Sequence, residues 1–171
     1  MSQSLVQVGI VLGSDSDLDV AVDAVKVLRD LEVGHEVVVA SAHRTPERTR
    51  AYAEGAEARG LRVLIGFAGG AAALPGFLAS VSSLPVIGVP IASTPLGGID
   101  ALLSIAQMPR GVPVAAVAIG KWGAANAAML AAQIIAVADE GLRKRLADYR
   151  LRLAGEVDER SRRVAEKLER L

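Results

Sequence analysis

Short apolar runs alternate along the chain with longer stretches in which apolar residues recur every three or four positions. Residues 8–12 form a first β-branched run that stops at Gly13. Over 17–31, Leu18, Val22, Val25 and Leu28 fall on one helical face. A second strand is predicted over 36–40. The helix after it, about 46–59, has Thr45 as its cap, Pro46 at its first position and Gly60 beyond its end. A third strand (62–67), a short helix (74–81), a fourth strand (85–89), a helix (99–107) and a fifth strand (113–119) follow. Residues 124–138 then read as a long buried helix, with small residues on nearly every side.

Strands that alternate with helices at this spacing predict a parallel sheet with helices on both faces. The strands are unbroken apolar runs, as expected where both sheet faces are covered. The fold class expected is therefore α/β, a flavodoxin-like three-layer αβα sandwich with right-handed crossovers. Ligands in such sheets bind at the carboxyl ends of the strands. Beyond Glu140 the character changes. Charge becomes dense, and Leu142, Leu146 and Tyr149, then Val164, Leu168 and Leu171, recur on one face of one or two amphipathic helices. The organisation expected is one α/β domain over 1–155 and a C-terminal helical extension over 156–171 that packs, spans to a neighbouring subunit, or stays a partly frayed, solvated helix.

Composition sharpens this picture in three places. Hydrophobic residues make up 51% of the 171 and aromatics only 3%, so the core is built of small aliphatic side chains. Nineteen basic residues balance nineteen acidic ones, which argues against a cationic surface for nucleic acid or membrane. There is no cysteine, and the histidines are two, His35 and His43, so thiolate chemistry and a three-His metal site are excluded. Residues 1–4 carry no basic region leading into an apolar run. Residues 124–138 are too few to span a bilayer and include Asn126 and Gln133. A cytoplasmic location is expected.

The loops after the strands hold the candidate chemistry. Gly13-Ser14-Asp15-Ser16-Asp17 offers a tight turn, two hydroxyls and a helix N-terminus, which suits a phosphate. Its carboxylates suit ribose hydroxyls. The same residues also suit an Asx turn and an N-cap. In Ser41-Ala42-His43-Arg44-Thr45-Pro46, Arg44 can grip a phosphate with a planar fork and His43 can move protons near neutral pH. His35 falls before the second strand, at the opposite end of the sheet. The run from Gly66 through Ala68-Gly69-Gly70-Ala71 to Gly76 lets backbone approach a flat ligand, or lets helix and strand cross closely. The Gly/Pro-punctuated loop 90–98 has the make-up of a lid, and Trp122 suits an interface, a rim or plain packing.

These motifs, followed by Gln107-Met108-Pro109, Ala118-Ile119-Gly120-Lys121 and Gly123-Ala124-Ala125-Asn126-Ala127, occur in order from about Val6 to Leu151. Together they resemble the N5-carboxyaminoimidazole ribonucleotide mutase family. Arginine after His43 and the Ala-Gly-Gly-Ala-Ala run look like the mutase class, whereas the related direct carboxylases usually have lysine there. The resemblance implies a homo-octamer with sites near subunit contacts, a carboxylated aminoimidazole ribonucleotide as substrate, carbon dioxide as intermediate, and neither cofactor nor metal. By position it implies His43 as acid/base, Ser14 and Arg44 on the 5′-phosphate and Asp17 on the ribose. It places Asp15, Ser16, Ser41 and Ala42 among the binding residues and lays Ala68, Gly69, Gly70 and Ala71 against the imidazole and the migrating carboxylate. Three departures stand out. Ala73 replaces the family's usual histidine before Leu-Pro-Gly, Phe67 replaces a common glycine and is expected to narrow or reshape the carboxylate pocket, and Ser82-Ser83 replace residues of usually basic or Thr character. They keep open a direct carboxylase or a paralogue for a related carboxylated nucleotide, and a nucleotide-binding module without chemistry.

Overall fold

The computed structural model describes residues 5–169. Five parallel strands, β1 (Val6–Leu12), β2 (Gly34–Val39), β3 (Val63–Gly69), β4 (Val86–Ile91) and β5 (Ala115–Ala116), form one sheet in the order β2-β1-β3-β4-β5. That is the flavodoxin-like order expected. Helices α1 (Leu18–Asp30) and α5 (Lys121–Ala136) cover one face. Helices α2 (Pro46–Glu54), α3 (Ala73–Val81) and α4 (Ile99–Ala106) cover the other, and α6 (Glu140–Leu168) follows.

The two faces solve the packing problem in opposite ways. Strand side chains alternate between faces. Toward α1 and α5 the sheet sends large residues: Val8, Ile10 and Leu12 from β1, Val63, Ile65 and Phe67 from β3, and Ile87, Val89 and Ile91 from β4. The helices answer with alanine, at 21 and 24 in α1 and at 124, 127, 128, 131 and 132 in α5. Toward α2, α3 and α4 the sheet presents Gly9, Gly66 and Gly88, and there the helices supply the bulk. A Cβ on Gly66 would press on Pro75 and Leu78, and one on Gly88 would press on Ile105. Close-packed interiors tolerate neither a gap nor an extra methylene. The low aromatic content thus reflects large-on-small pairing across both interfaces.

Element ends differ from the sequence expectation for physical reasons. A short 3-10 turn, Asp15–Asp17, precedes α1, and α2 stops at Glu54 before a second turn, Glu57–Arg59, that Gly60 closes at φ +94°. The fifth strand shrinks to two exposed residues at the sheet edge, and Pro113, without an N–H for the ladder, lies before its start. Helix α5 is buried along one broad face only. Trp122 is 82% exposed and Asn126 is exposed, because nothing among the described residues covers that side. Trp122 therefore has no packing role among the described residues. His35 lies at the amino end of β2, where Nδ1 is 2.9 Å from the Val33 carbonyl oxygen.

The C-terminal segment is a single 29-residue helix. The Asp139 side chain caps it, accepting from the Leu142 N–H at 2.9 Å. Arg145 Nε donates to the Leu31 carbonyl at the end of α1 (2.7 Å), and Leu142 and Leu146 are buried. From residue 150 onward every described residue is exposed. Leu171, expected on the same face, lies outside the described residues. Among the described residues no helix is long and apolar enough to cross a membrane.

A Cβ on Gly123 would run into the Ala118 carbonyl at the start of α5. Gly123→Ala is expected to cost about 1–3 kcal/mol through overpacking, read as a fall of several degrees in Tm by calorimetry.

Candidate active site

The chain order makes β1 the switch point. It runs from β1 outward to β2, then returns to β3 on the other side of β1. The loops after these three strands diverge there and leave a cleft of ≈ 330 Å³. Ser14, Ser16 and Asp17 line it from the β1 loop, Ser41, Ala42, His43 and Arg44 from the β2 loop, and Ala68 and Gly69 from the end of β3.

Backbone and side chains hold these loops together. The Gly13 N–H donates to the Phe67 carbonyl of β3 (3.3 Å), and the Gly13 carbonyl accepts from Arg44 Nη2 (2.8 Å). Arg44 is thereby braced across the sheet from its own loop, and its Nε and backbone N–H both point to Ser41 Oγ. A guanidinium has five N–H donors, so most of the fork stays free. The Thr45 hydroxyl closes the loop by accepting from the Ser41 N–H (3.0 Å). His43, at the crest of this turn, is exposed and faces the cleft with no hydrogen bond of its own among the described residues.

The β1 loop is a capping box. The Ser14 hydroxyl accepts from the Ser16 N–H (3.4 Å), and the Asp17 carboxylate accepts from the Ser14 N–H (3.1 Å). Asp17 is only 7% exposed. Burial pushes its carboxyl above the ordinary value of 3.8, and Asp15 adds to the rise. Backbone donors at Ser14 and Gly13, and the charge of Arg44, pull the other way without cancelling it. The capping reading and the binding reading of this loop are compatible, since the Ser14 hydroxyl that caps, and the Ser16 hydroxyl that donates to it, also line the cleft.

At the third loop Gly69 has no room for a side chain, because a Cβ there would strike Ser93 from the loop after β4. Gly70 at φ +60° and Ala72 at φ +43° turn the chain into α3, and Ser104 Oγ pins the turn by donating to the Ala71 carbonyl (2.8 Å). Gly70 and Ala71 shape this turn and do not line the cleft. Asp15 lines an adjoining hollow with Arg44, Thr45 and Arg48.

Two lining features escape sequence reasoning. Ser93 sits in a loop read as a lid, with no signal that it would meet Gly69. Arg48, one helical turn beyond Arg44, adds a second cation to the hollow and makes no ion pair among the described residues. The i, i+4 spacing from Arg44 is the signal that could have found it. Ala73 and Leu74 form the wall beneath Gly69. Phe67 proves the reverse of the expectation, fully buried toward α1 and α5 and not lining the cleft. Gly66, its neighbour along the strand, faces the cleft side of the sheet.

Comparison with known proteins agrees with this fold. The sequence profile of the AIR carboxylase family matches residues 7–156. The N5-carboxyaminoimidazole ribonucleotide mutase of Escherichia coli (strain K12) is 52% identical over 151 residues, covering 88% of this chain and 89% of the relative. That of Mycobacterium tuberculosis (strain ATCC 25618 / H37Rv) is 50% identical over 167 residues, covering 96% and 95%. The crystal structure of Treponema denticola PurE superposes with a TM-score of 0.80 at 29% identity, covering 90% of this chain and 94% of that one. With the profile spanning most of its length and relatives at half identity over nearly all of it, the chain belongs to the AIR carboxylase family.

Proposed function

We propose that this chain is an isomerase of purine biosynthesis, an N5-carboxyaminoimidazole ribonucleotide mutase. The observation that carries the reading is His43 and the braced Arg44 facing a hydroxyl-lined cleft at the sheet's switch point, in a chain half identical to mutases so named.

The chemistry assigns each group a task. Arg44, Ser14 and Ser16 hold the 5′-phosphate, the guanidinium supplying charge and the hydroxyls supplying donors. Asp17, sunk behind them, accepts from ribose hydroxyls. Ser41 and Ala42 border the nucleotide, and Asp15 braces Ser14 from the adjoining hollow. The ring lies against Ala68 and the bare backbone of Gly69, and Gly70 and Ala71 fix that backbone's course.

His43 starts as the imidazolium. The carbamate C–N bond breaks, carbon dioxide departs, and His43 protonates the exocyclic nitrogen that keeps the electron pair. The amine then pushes electrons into the ring, and carbon 4 attacks the trapped carbon dioxide. The neutral imidazole takes the proton from carbon 4, the ring regains aromaticity, and His43 ends protonated as it began. Confining the gas beside carbon 4 makes recombination effectively unimolecular. Exposed Leu96, Ile99 and Leu103, on and after the loop that carries Ser93, and exposed Trp122 support assembly as a homo-octamer.

Purified protein is expected to convert the N-carboxylated nucleotide without added bicarbonate. Turnover only of the unmodified nucleotide, rising with bicarbonate, would instead establish a direct carboxylase, a reading that Ala73 in the cleft wall favours.

His43→Ala is expected to lower kcat by at least about 100-fold while nucleotide binding, read by calorimetry, is retained. Near-normal turnover would remove His43 as the acid/base.

Asp17 gives a prediction in two directions. Its raised carboxyl favours the protonated form in the folded chain, so the charged form destabilises the fold. That penalty is absent below the ordinary value of 3.8 and present in full once the pH exceeds the raised value. Asp17→Asn is therefore expected to raise Tm at pH 7, with the gain fading as pH falls toward 4, while KM for the nucleotide increases.

A further inference from the structure

The cleft is lined by the loops after β1, β2 and β3 and by the start of α3, with one exception. Ser93 comes from the loop after β4. A Cβ on Gly69 would strike Ser93, and one on Gly70 would touch the Thr94 methyl at 3.7 Å. The β4 loop therefore leans on the bare turn against which the ring of the substrate is placed. Its own backbone does not hold it there. Among the described residues its N–H groups are satisfied locally, Ser93 by the Ile91 carbonyl and Gly97 by the Thr94 carbonyl. Its far end passes through two left-handed glycines, Gly97 at φ +63° and Gly98 at φ +88°.

One side of α4 supplies what the loop backbone lacks. Asp100 and Ser104 are four residues apart, so they are neighbours on the helix surface. Asp100 Oδ2 accepts from the Thr94 hydroxyl (2.8 Å), and that hydroxyl oxygen in turn accepts from the Leu96 N–H (3.2 Å). Ser104 Oγ donates to the Ala71 carbonyl across the junction (2.8 Å). The same helix thus fixes the loop and the turn that the loop leans on. Their separation is set by α4 rather than by either loop.

Asp100 carries the mark of a group held for its position. An aspartate in the first turn of a helix is stabilised by the free N–H groups there and needs no burial for it. Here the Thr94 hydroxyl meets one carboxylate oxygen, and the other, Oδ1, is buried with no partner among the described residues. A buried polar atom left unpaired costs stability. The arrangement makes sense where the placing of the loop outweighs that loss.

We propose that Thr94 and Asp100 are positioning residues, a latch that seats Ser93 against Gly69 as a wall of the cleft and so keeps released carbon dioxide beside the ring. The inference rests on the mutase reading. Neither residue lines the cleft, so both act through Ser93. With the wall loosened, the carbamate C–N bond still breaks and His43 still protonates the exocyclic nitrogen, but the carbon dioxide departs to solvent. The unmodified aminoimidazole ribonucleotide then leaves in place of the product, and His43 regains its proton from water.

Thr94→Val keeps the side chain's shape and removes its hydroxyl, whereas Thr94→Ser keeps the hydroxyl. In full-length Thr94→Val, hydrogen exchange of the amides in 92–98, read by mass spectrometry, is expected to quicken about five-fold, the factor that one hydrogen bond of ordinary strength supplies. With the N-carboxylated nucleotide as substrate, the share that ends as unmodified nucleotide, corrected for loss without enzyme, is expected to rise several-fold while KM changes little. Asp100→Ala removes the acceptor without leaving a buried unpaired carboxylate, and is expected to give the same two rises. Thr94→Ser is expected to return both readouts to those of the native chain. Unchanged exchange in Thr94→Val and Asp100→Ala overturns the latch whatever the activity. Quickened exchange with an unchanged product share, or a lower kcat without added loss of carbon dioxide, overturns its role in the cleft. A native chain that turns over no N-carboxylated nucleotide defeats the mutase reading instead, and the exchange result then decides the latch by itself.

Discussion

Burial of β1, β3 and β4 on both faces is the constraint from which the rest follows. A parallel strand in mid-sheet has no solvent side, so each of its residues must meet a helix. This chain meets the requirement by pairing large with small in opposite senses. Isoleucine, valine and Phe67 stand on the sheet beneath the alanines of α1 and α5. On the other face Pro75, Leu78 and Ile105 reach down to Gly66 and Gly88. Both arrangements bring helix axes close to the sheet, and close packing leaves both rigid.

That rigidity sets the site. The loops after β1, β2 and β3 leave a sheet whose strand ends are fixed, so short bonds suffice to position side chains. Arg44 can be braced on the Gly13 carbonyl, a partner 31 residues away in sequence, because β1 and β2 run in register up to Leu12 and Val39. The global charge is zero, yet the local field at the cleft and its adjoining hollow is set by Arg44 and Arg48, with the hydroxyls of Ser14, Ser16 and Ser41 beside them. Asp17 sits in that same field at the cost of burying a carboxylate, which is the kind of stability loss a recognition site imposes.

What could be read from the sequence was whatever depends on local pattern. The strand runs, the helical face of α1, the proline start of α2 and the loop motifs all follow from period, capping and turn chemistry within a few residues. Contacts between distant loops were not legible. Nothing near Gly69 announces Ser93, and nothing near Arg44 announces the Gly13 carbonyl, because both depend on sheet order. The fifth strand was overestimated since its apolar residues suggest a ladder, while at the sheet edge, beyond Pro113, it runs to two residues. Exposure of Trp122 and of one side of α5 was also hidden, because an apolar side chain on a helix reads the same whether it meets its own core or another subunit.

The departures at Phe67 and Ala73 separate once strand parity is applied. Both looked like changes to the same pocket, six residues apart around a glycine-rich turn. In β3, side chains alternate between faces, so Phe67 shares its face with Val63 and Ile65 and fills space against α1 and α5. Gly66 and Ala68 face the side from which the cleft opens. A larger residue at 67 therefore adds core volume and leaves the carboxylate's surroundings as they are. Ala73 begins α3 on the cleft wall. One departure belongs to packing and the other to chemistry. With Ala73 unable to carry a proton, His43 is the one imidazole lining the cleft among the described residues, so the proposed acid and base steps would alternate on a single group.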